Sequence, residues 1–120
     1  MDNISRLKNV IEALGKHKDE QSVEVLERLG MGSNIDYIRS LSAKALIKRN
    51  TKNSLEVIIN RQGKGINDAD MNVAMSAINE ILELDEKTNV INILENVSIN
   101  SSDKSVRDCA KAVRTLIELS

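Results

Sequence analysis

Apolar residues recur at spacings of three and four along almost the whole chain, and no stretch sustains strand-like alternation, so the pattern predicts an all-α protein of about seven helices. The first helix spans about Asn3 to Leu14, with Ile4, Leu7, Val10, Ile11 and Leu14 on one stripe. Asp2 or Asn3 serves as its N-cap and Gly15 suits its end. After the turn Lys16-His17-Lys18, Asp19 caps a second helix with Val23, Leu26 and Leu29 on its apolar side, closed by Gly30-Met31-Gly32. A third helix opens at Asn34 or Asp36 and runs through Lys48. The turn Arg49-Asn50-Thr51-Lys52 leads to a fourth, carrying Leu55, Ile58 and Ile59. Two more run from about Asp68 to Leu84 and from about Lys87 to Val97, and the last from about Ser102 to Leu119.

The helices come in pairs, and the pairs resemble one another. A shift of 32 residues superposes Ala13-Leu14 on Ala45-Leu46, and Ser22-Val23-Glu24-Val25-Leu26 on Ser54-Leu55-Glu56-Val57-Ile58. The chain therefore divides into units at about 3–30, 34–62 and 67–97 with a capping helix at 102–119, about three and a half antiparallel hairpins in a single domain 1–120. The end helices carry narrow apolar stripes. By contrast, the segments Tyr37 to Ile47 and Met71 to Leu84 are apolar around most of their circumference and need cover on two sides. This contrast predicts an array sealed at both ends. Gly63-Lys64-Gly65 reads as a linker and the most flexible joint between the first two units and the rest; it lacks the spacing and the following Ser or Thr of a phosphate loop.

Composition narrows the function classes. The chain has 120 residues, no Pro, Phe or Trp, one Tyr and five Gly, which leaves a β-rich fold without its usual residues. Its 17 basic and 18 acidic residues give a net charge of -1, with no global bias toward nucleic acid. Cys109 and His17 are each the only residue of their type, so neither an intramolecular disulfide nor a cysteine-based metal cluster can form, and no cofactor is expected. Cys109 falls on the apolar stripe with Val106 and Val113 and reads as a small core residue; His17 reads as a solvated turn residue. No apolar run follows a basic stretch at Met1-Asp2-Asn3-Ile4-Ser5-Arg6, and no segment approaches the roughly 20 apolar residues of a membrane span, so a cytoplasmic protein is expected.

Ile38-Arg39-x-x-Ser42-x-x-Ala45-Leu46 and Val106-Arg107-x-x-Ala110-x-x-Val113 resemble the first-helix pattern of HEAT and HEAT-like repeats. Ala13-Leu14-Gly15, followed by Asp19-Glu20 and Val23-Glu24-Val25-Leu26, is similar to the inner turn and second helix of that repeat. The resemblance covers nearly the whole chain in degenerate form: the family's usual proline is missing, the third unit lacks the Arg, and Ser42 replaces an Ala. Armadillo and tetratricopeptide arrays share the paired helices, although the latter carry aromatic knobs that this chain lacks. The resemblance implies a short right-handed α-solenoid used as a binding surface, with second helices lining its inner curve, and it implies no catalytic motif.

Polar residues line up across the units. Glu20, Glu24 and Glu27 share one face of the second helix, Glu56 and Asn60 repeat it in the next unit, and Asn92, Glu95 and Asn96 do so in the third. On the inner curve that the resemblance implies, these residues form an acidic, amide-rich surface suited to a protein partner presenting basic groups. The expected function is a non-catalytic adaptor or regulatory module, not an enzyme. The alternatives are an accessory subunit or chaperone-like helper of an enzyme, or a nucleic-acid-binding protein, the last disfavoured because basic residues are not interleaved with aromatic ones. Lys16, Lys18, Lys48, Arg49 and Lys52 form an opposite, basic edge at the first two turns, while Glu83, Asp85 and Glu86 occupy the third. A monomer or weak homodimer is expected, with Met31, Tyr37 or Ile99 available for an apolar contact between copies.

Overall fold

The computed structural model describes residues 3–120, which form seven α-helices and no strand. They are α1 (Asn3–Lys16), α2 (Gln21–Val25), α3 (Asp36–Arg49), α4 (Lys52–Ile59), α5 (Met71–Glu83), α6 (Thr88–Asn100) and α7 (Lys104–Leu119). A π-helical stretch, Leu26–Met31, continues α2, and a 3-10 turn, Gly65–Asn67, precedes α5. Asp2, one candidate cap of α1, lies outside the described residues. None of the helices described is long and apolar enough to cross a membrane.

The centre of the fold is α3. It packs between α1 and α5 and also touches α4 and the π-helical stretch. That position explains its all-round apolar sequence: Ile38, Ser42, Ala43, Ala45, Leu46 and Ile47 are all buried. Farther along the chain α4 packs on α6, and α6 on α7. The core runs continuously from Ile11 and Leu26 through Leu46, Leu55, Ile58 and Ile59 to Ile81, Leu94, Val106 and Val113. The molecule measures 44 × 27 × 26 Å.

One local device recurs at the turns that lead into α3, α5 and α7. Ser33, Asp68 and Ser101 each accept, on a side-chain oxygen, the backbone N–H two residues ahead. Arg39 and Arg107 then each donate to the carbonyl six residues behind, that of Ser33 at 2.8 Å and of Ser101 at 2.7 Å. The turn before α5 has Ala74 at the Arg position, and its Asp68 receives Arg39 of α3 instead. Asp70 and Asp103 cap α5 and α7 by accepting two backbone N–H groups each. Both carboxyls are held below the usual range, Asp70 first by the Val73 amide and Asp103 first by the Ser105 hydroxyl. Lowered folded-state values mean that these caps stabilise at neutral pH and weaken as pH falls through those values. Thr51 and Ser54 form a reciprocal capping box on α4, and Asn50 ends α3 with φ of 52°.

Packing revises several expectations. Gly15 does not stop α1 but lies within it, where an added Cβ would sit 3.0 Å from the Ala45 Cβ; glycine there permits close contact with α3. Leu29 is 65% exposed, because the π-helical stretch winds more residues per turn and carries it off the stripe of Val23 and Leu26. Met31 is buried instead of available for self-association, whereas Tyr37 and Ile99 are exposed. The Gly63-Lys64-Gly65 segment is no loose linker. Gly65 and Ile66 are buried, and Asn67 donates its side-chain amide to the Ile59 carbonyl at 2.7 Å. Nor is the α1 end sealed: Ile11 is buried, while Ile4, Leu7 and Val10 stay 41 to 53% exposed.

Gly30 lies directly against Ser42 of α3, where the first two helix pairs meet. Its Cβ would fall 2.0 Å from the Oγ and 2.6 Å from the Cβ of buried Ser42, whose hydroxyl donates to the Ile38 carbonyl. Gly30→Ala is expected to destabilise the fold by roughly 1–3 kcal/mol through overpacking. In a denaturant-unfolding cycle, Gly30→Ala with Ser42→Gly should be more stable than the sum of the single changes by about 1 kcal/mol or more. Strict additivity would show that this contact does not set the spacing.

Candidate polar interface

The aligned carboxylates and amides predicted from sequence lie on α2 and its π-helical continuation, α4 and α6. Two grooves separate these elements. The first, about 230 Å³, runs between α2 and α4 and is lined by Glu20, Glu24, Glu27, Asn53, Glu56 and Arg61 over Val23 and Val57. The second, about 360 Å³, runs between α4 and α6, with Glu56, Asn60, Asn89, Asn92, Asn96 and Lys52 around Ile93 and Val97. Glu56 belongs to both. Asn60 also borders a third hollow reaching Asn100 and Asp103, so the tract continues toward α7.

Seven of the eight predicted residues are therefore gathered on one tract, but they are not equally free. Glu27 pairs with Arg61 at 3.4 Å across the first groove. Glu20 accepts from the Asn53 amide at 3.1 Å and lies 4.0 Å from Arg49. Asn96 accepts from Asn100 on its own helix. Glu95 alone leaves the tract: it turns toward α7 and pairs with Arg114 at 2.7 Å. Among the described residues Glu24 and Glu56 make no hydrogen bond or ion pair through their carboxylates, and the side-chain amides of Asn60 and Asn92 are likewise unengaged. The Lys52 ammonium, in the second groove, is unengaged as well.

Asn53 and Asn89 enlarge the tract beyond what the sequence reading selected. A signal for them existed: Asn53, Glu56 and Asn60 match Asn89, Asn92 and Asn96 at a constant offset of 36, counted from their positions in the chain. Arg61 follows α4 and carries no comparable pattern. Asn89 in addition donates to the Asn50 carbonyl at 2.8 Å, while Asn50 donates to that of Glu86 at 2.9 Å, tying the α3–α4 turn to the start of α6.

The basic edge is divided by the fold. The Arg49 side chain is 6% exposed and donates to the carbonyls of Leu14, His17 and Asp19, so it fastens the end of α1 and the following turn to α3. Lys48 lies 3.7 Å from Glu80, and Lys52 reaches the α4–α6 groove. Exposed His17 accepts through Nδ1 from the Asp19 amide, and its ring faces the Ser22 hydroxyl at 3.3 Å. Half-buried Cys109 donates to the Ile66 carbonyl, and burial pushes its thiol pKa up. No three His, Cys, Asp or Glu side chains among the described residues are grouped to hold a metal ion. Comparison with family models, with curated proteins and with solved structures finds no match to this chain.

Proposed function

We propose that this chain is a non-catalytic protein-binding module: a short right-handed HEAT-like α-solenoid whose second helices present the tract from Glu20 to Asn96 to a partner bearing basic groups. The solenoid reading draws on the packing of α1 on α3, α3 on α5 and α4 on α6, and on the turn device recurring before α3, α5 and α7. The binding reading rests on one observation. Glu24 on α2 and Glu56 on α4 make no ion pair, although Arg61 and Lys52 line the same grooves, and both carboxylates stand beside buried aliphatic residues. A Lys or Arg side chain laid there would place its charge on a carboxylate and its methylene stem on Val57 or Ile93.

The test is a titration with arrayed Lys- and Arg-rich peptides, the best binder then being measured by calorimetry. Changing both Glu24→Lys and Glu56→Lys is expected to weaken that peptide by about tenfold or more, two attractive contacts becoming repulsive. Helicity and melting should stay as in the parent chain, because neither carboxylate has an internal partner. Peptide affinity within twofold of the parent would remove this tract as the docking surface. An accessory or chaperone-like helper of an enzyme would use the same tract and give the same result.

A further inference from the structure

The opposite charge is concentrated between the first helices of the first two pairs. A groove of about 310 Å³ lies between α1 and α3, with Gly15, Leu41 and Ala45 inside it and Lys16, Lys44 and Lys48 around it. It exists because the Gly15–Ala45 contact draws the two backbones together while the longer side chains on either side stand apart. Glu12 also lines it, and Glu80 lies against Lys48. Lys16 and Lys44 have no ion-pair or hydrogen-bond partner at their ammonium groups among the described residues, and Lys44 is half-buried. The groove meets a second hollow, about 230 Å³, which shares Gly15 and Lys16 and adds His17, Lys18, Glu20 and Arg49.

We infer that this groove is a second docking site, for an extended peptide segment in which acidic side chains flank an apolar one. Its lysines supply the complement to carboxylates, and the partly covered stem of Lys44 leaves an ammonium without a partner beside an aliphatic floor. The inner surface at Leu41 and Ala45 is aliphatic and matches an apolar side chain. A nucleic acid strand would find phosphate contacts here but no aromatic face for its bases, because the only aromatic residue, Tyr37, does not line the groove. A flat anionic membrane would meet the rim lysines and leave the recessed aliphatic floor unused. The groove itself is built by α1 and α3, neither of which carries the Glu24–Glu56 tract, and it selects the opposite charge.

The probe is a fluorescein-labelled synthetic peptide of Glu-Glu-Leu repeats, titrated with the full chain by fluorescence anisotropy. Saturable binding is expected, weakened by about tenfold in the Lys16→Glu/Lys44→Glu chain and by about fivefold when each Leu of the peptide is Ser. Amide shifts on titration should cluster on α1 and α3. If the charge-reversed chain loses helicity, Lys16→Gln/Lys44→Gln takes its place, with about threefold weakening expected. Absence of saturable binding, equal affinity in the lysine variants, equal affinity for the Ser peptide, or tighter binding to oligothymidylate or phosphatidylserine vesicles would each overturn the inference.

Discussion

Arg39→Ala is expected to destabilise the fold by about 3–5 kcal/mol, because it strands a buried carboxylate. The guanidinium donates Nε to Asp68 Oδ2 at 3.0 Å, Nη2 to Asp68 Oδ1 at 3.4 Å, Nη1 to the Ser33 carbonyl at 2.8 Å and Nη2 to Asp36 Oδ1 at 2.7 Å. It thereby joins three segments: the turn before α3, the first turn of α3 and the turn before α5. The Asp68 side chain is 3% exposed, so water cannot replace the lost donors. The Arg39 pKa is raised, first by its hydrogen bond to Asp68, and the residue stays charged throughout the accessible pH range. Thermal unfolding should show a midpoint lower by roughly 10–20 °C. Arg39→Lys should recover only part of the loss, since an ammonium cannot make the forked contact. Arg39→Ala with Asp68→Ala should be less damaging than the two single effects added together. A midpoint for Arg39→Ala within a few degrees of the parent would mean that the clamp does not hold the α3–α5 junction.

Gly65→Ala is the second large effect, expected at about 2–5 kcal/mol from backbone strain and overpacking together. Gly65 has φ of 53°, and an added Cβ would lie 2.5 Å from Ile58 Cγ2, 2.6 Å from the Ile58 carbonyl oxygen and 2.8 Å from its Cα. Two of those atoms are backbone of α4, which is fixed by burial of Leu55, Ile58 and Ile59, so the new methyl has nowhere to move. Gly63 provides the control. Its φ is 77°, but nothing lies within 4 Å of its Cβ position, so Gly63→Ala should cost only the left-handed conformation, roughly 1–2 kcal/mol. Urea unfolding of both variants separates the two contributions. Equal losses would show that the approach to Ile58 relaxes freely and that the joint between α4 and α5 is softer than its packing implies.

These two sites also show where sequence reading stopped. Periodicity located Arg39 on a helix and Gly65 in a turn, yet neither the Arg39–Asp68 pair nor the Gly65–Ile58 contact has any local signature. The glycine-and-lysine composition of 63–65 resembles a linker whether or not the chain packs over it; burial of Ile66 settled the matter. A period of 3.6 residues per turn puts Leu29 on the apolar stripe, and the π-helical stretch breaks that period. On the polar tract, the spacing Glu56 to Asn60 and Asn92 to Asn96 predicted a shared face because both helices keep regular geometry.

The sequence by itself determined the helices, their number, and the face on which Glu24, Glu56, Asn60 and Asn92 gather. All of these follow from hydrophobic period and from groups that interact within a few positions of each other. Only the tertiary structure decided which charges are consumed internally and which remain open. Arg49 closes over the end of α1, Glu95 turns to Arg114, and Asp68 receives Arg39, whereas Glu24, Glu56, Lys16 and Lys44 find no internal partner among the described residues. A helical period sets the direction of a side chain about its own axis; whether an opposite charge meets it depends on the distance and rotation of a neighbour tens of residues away.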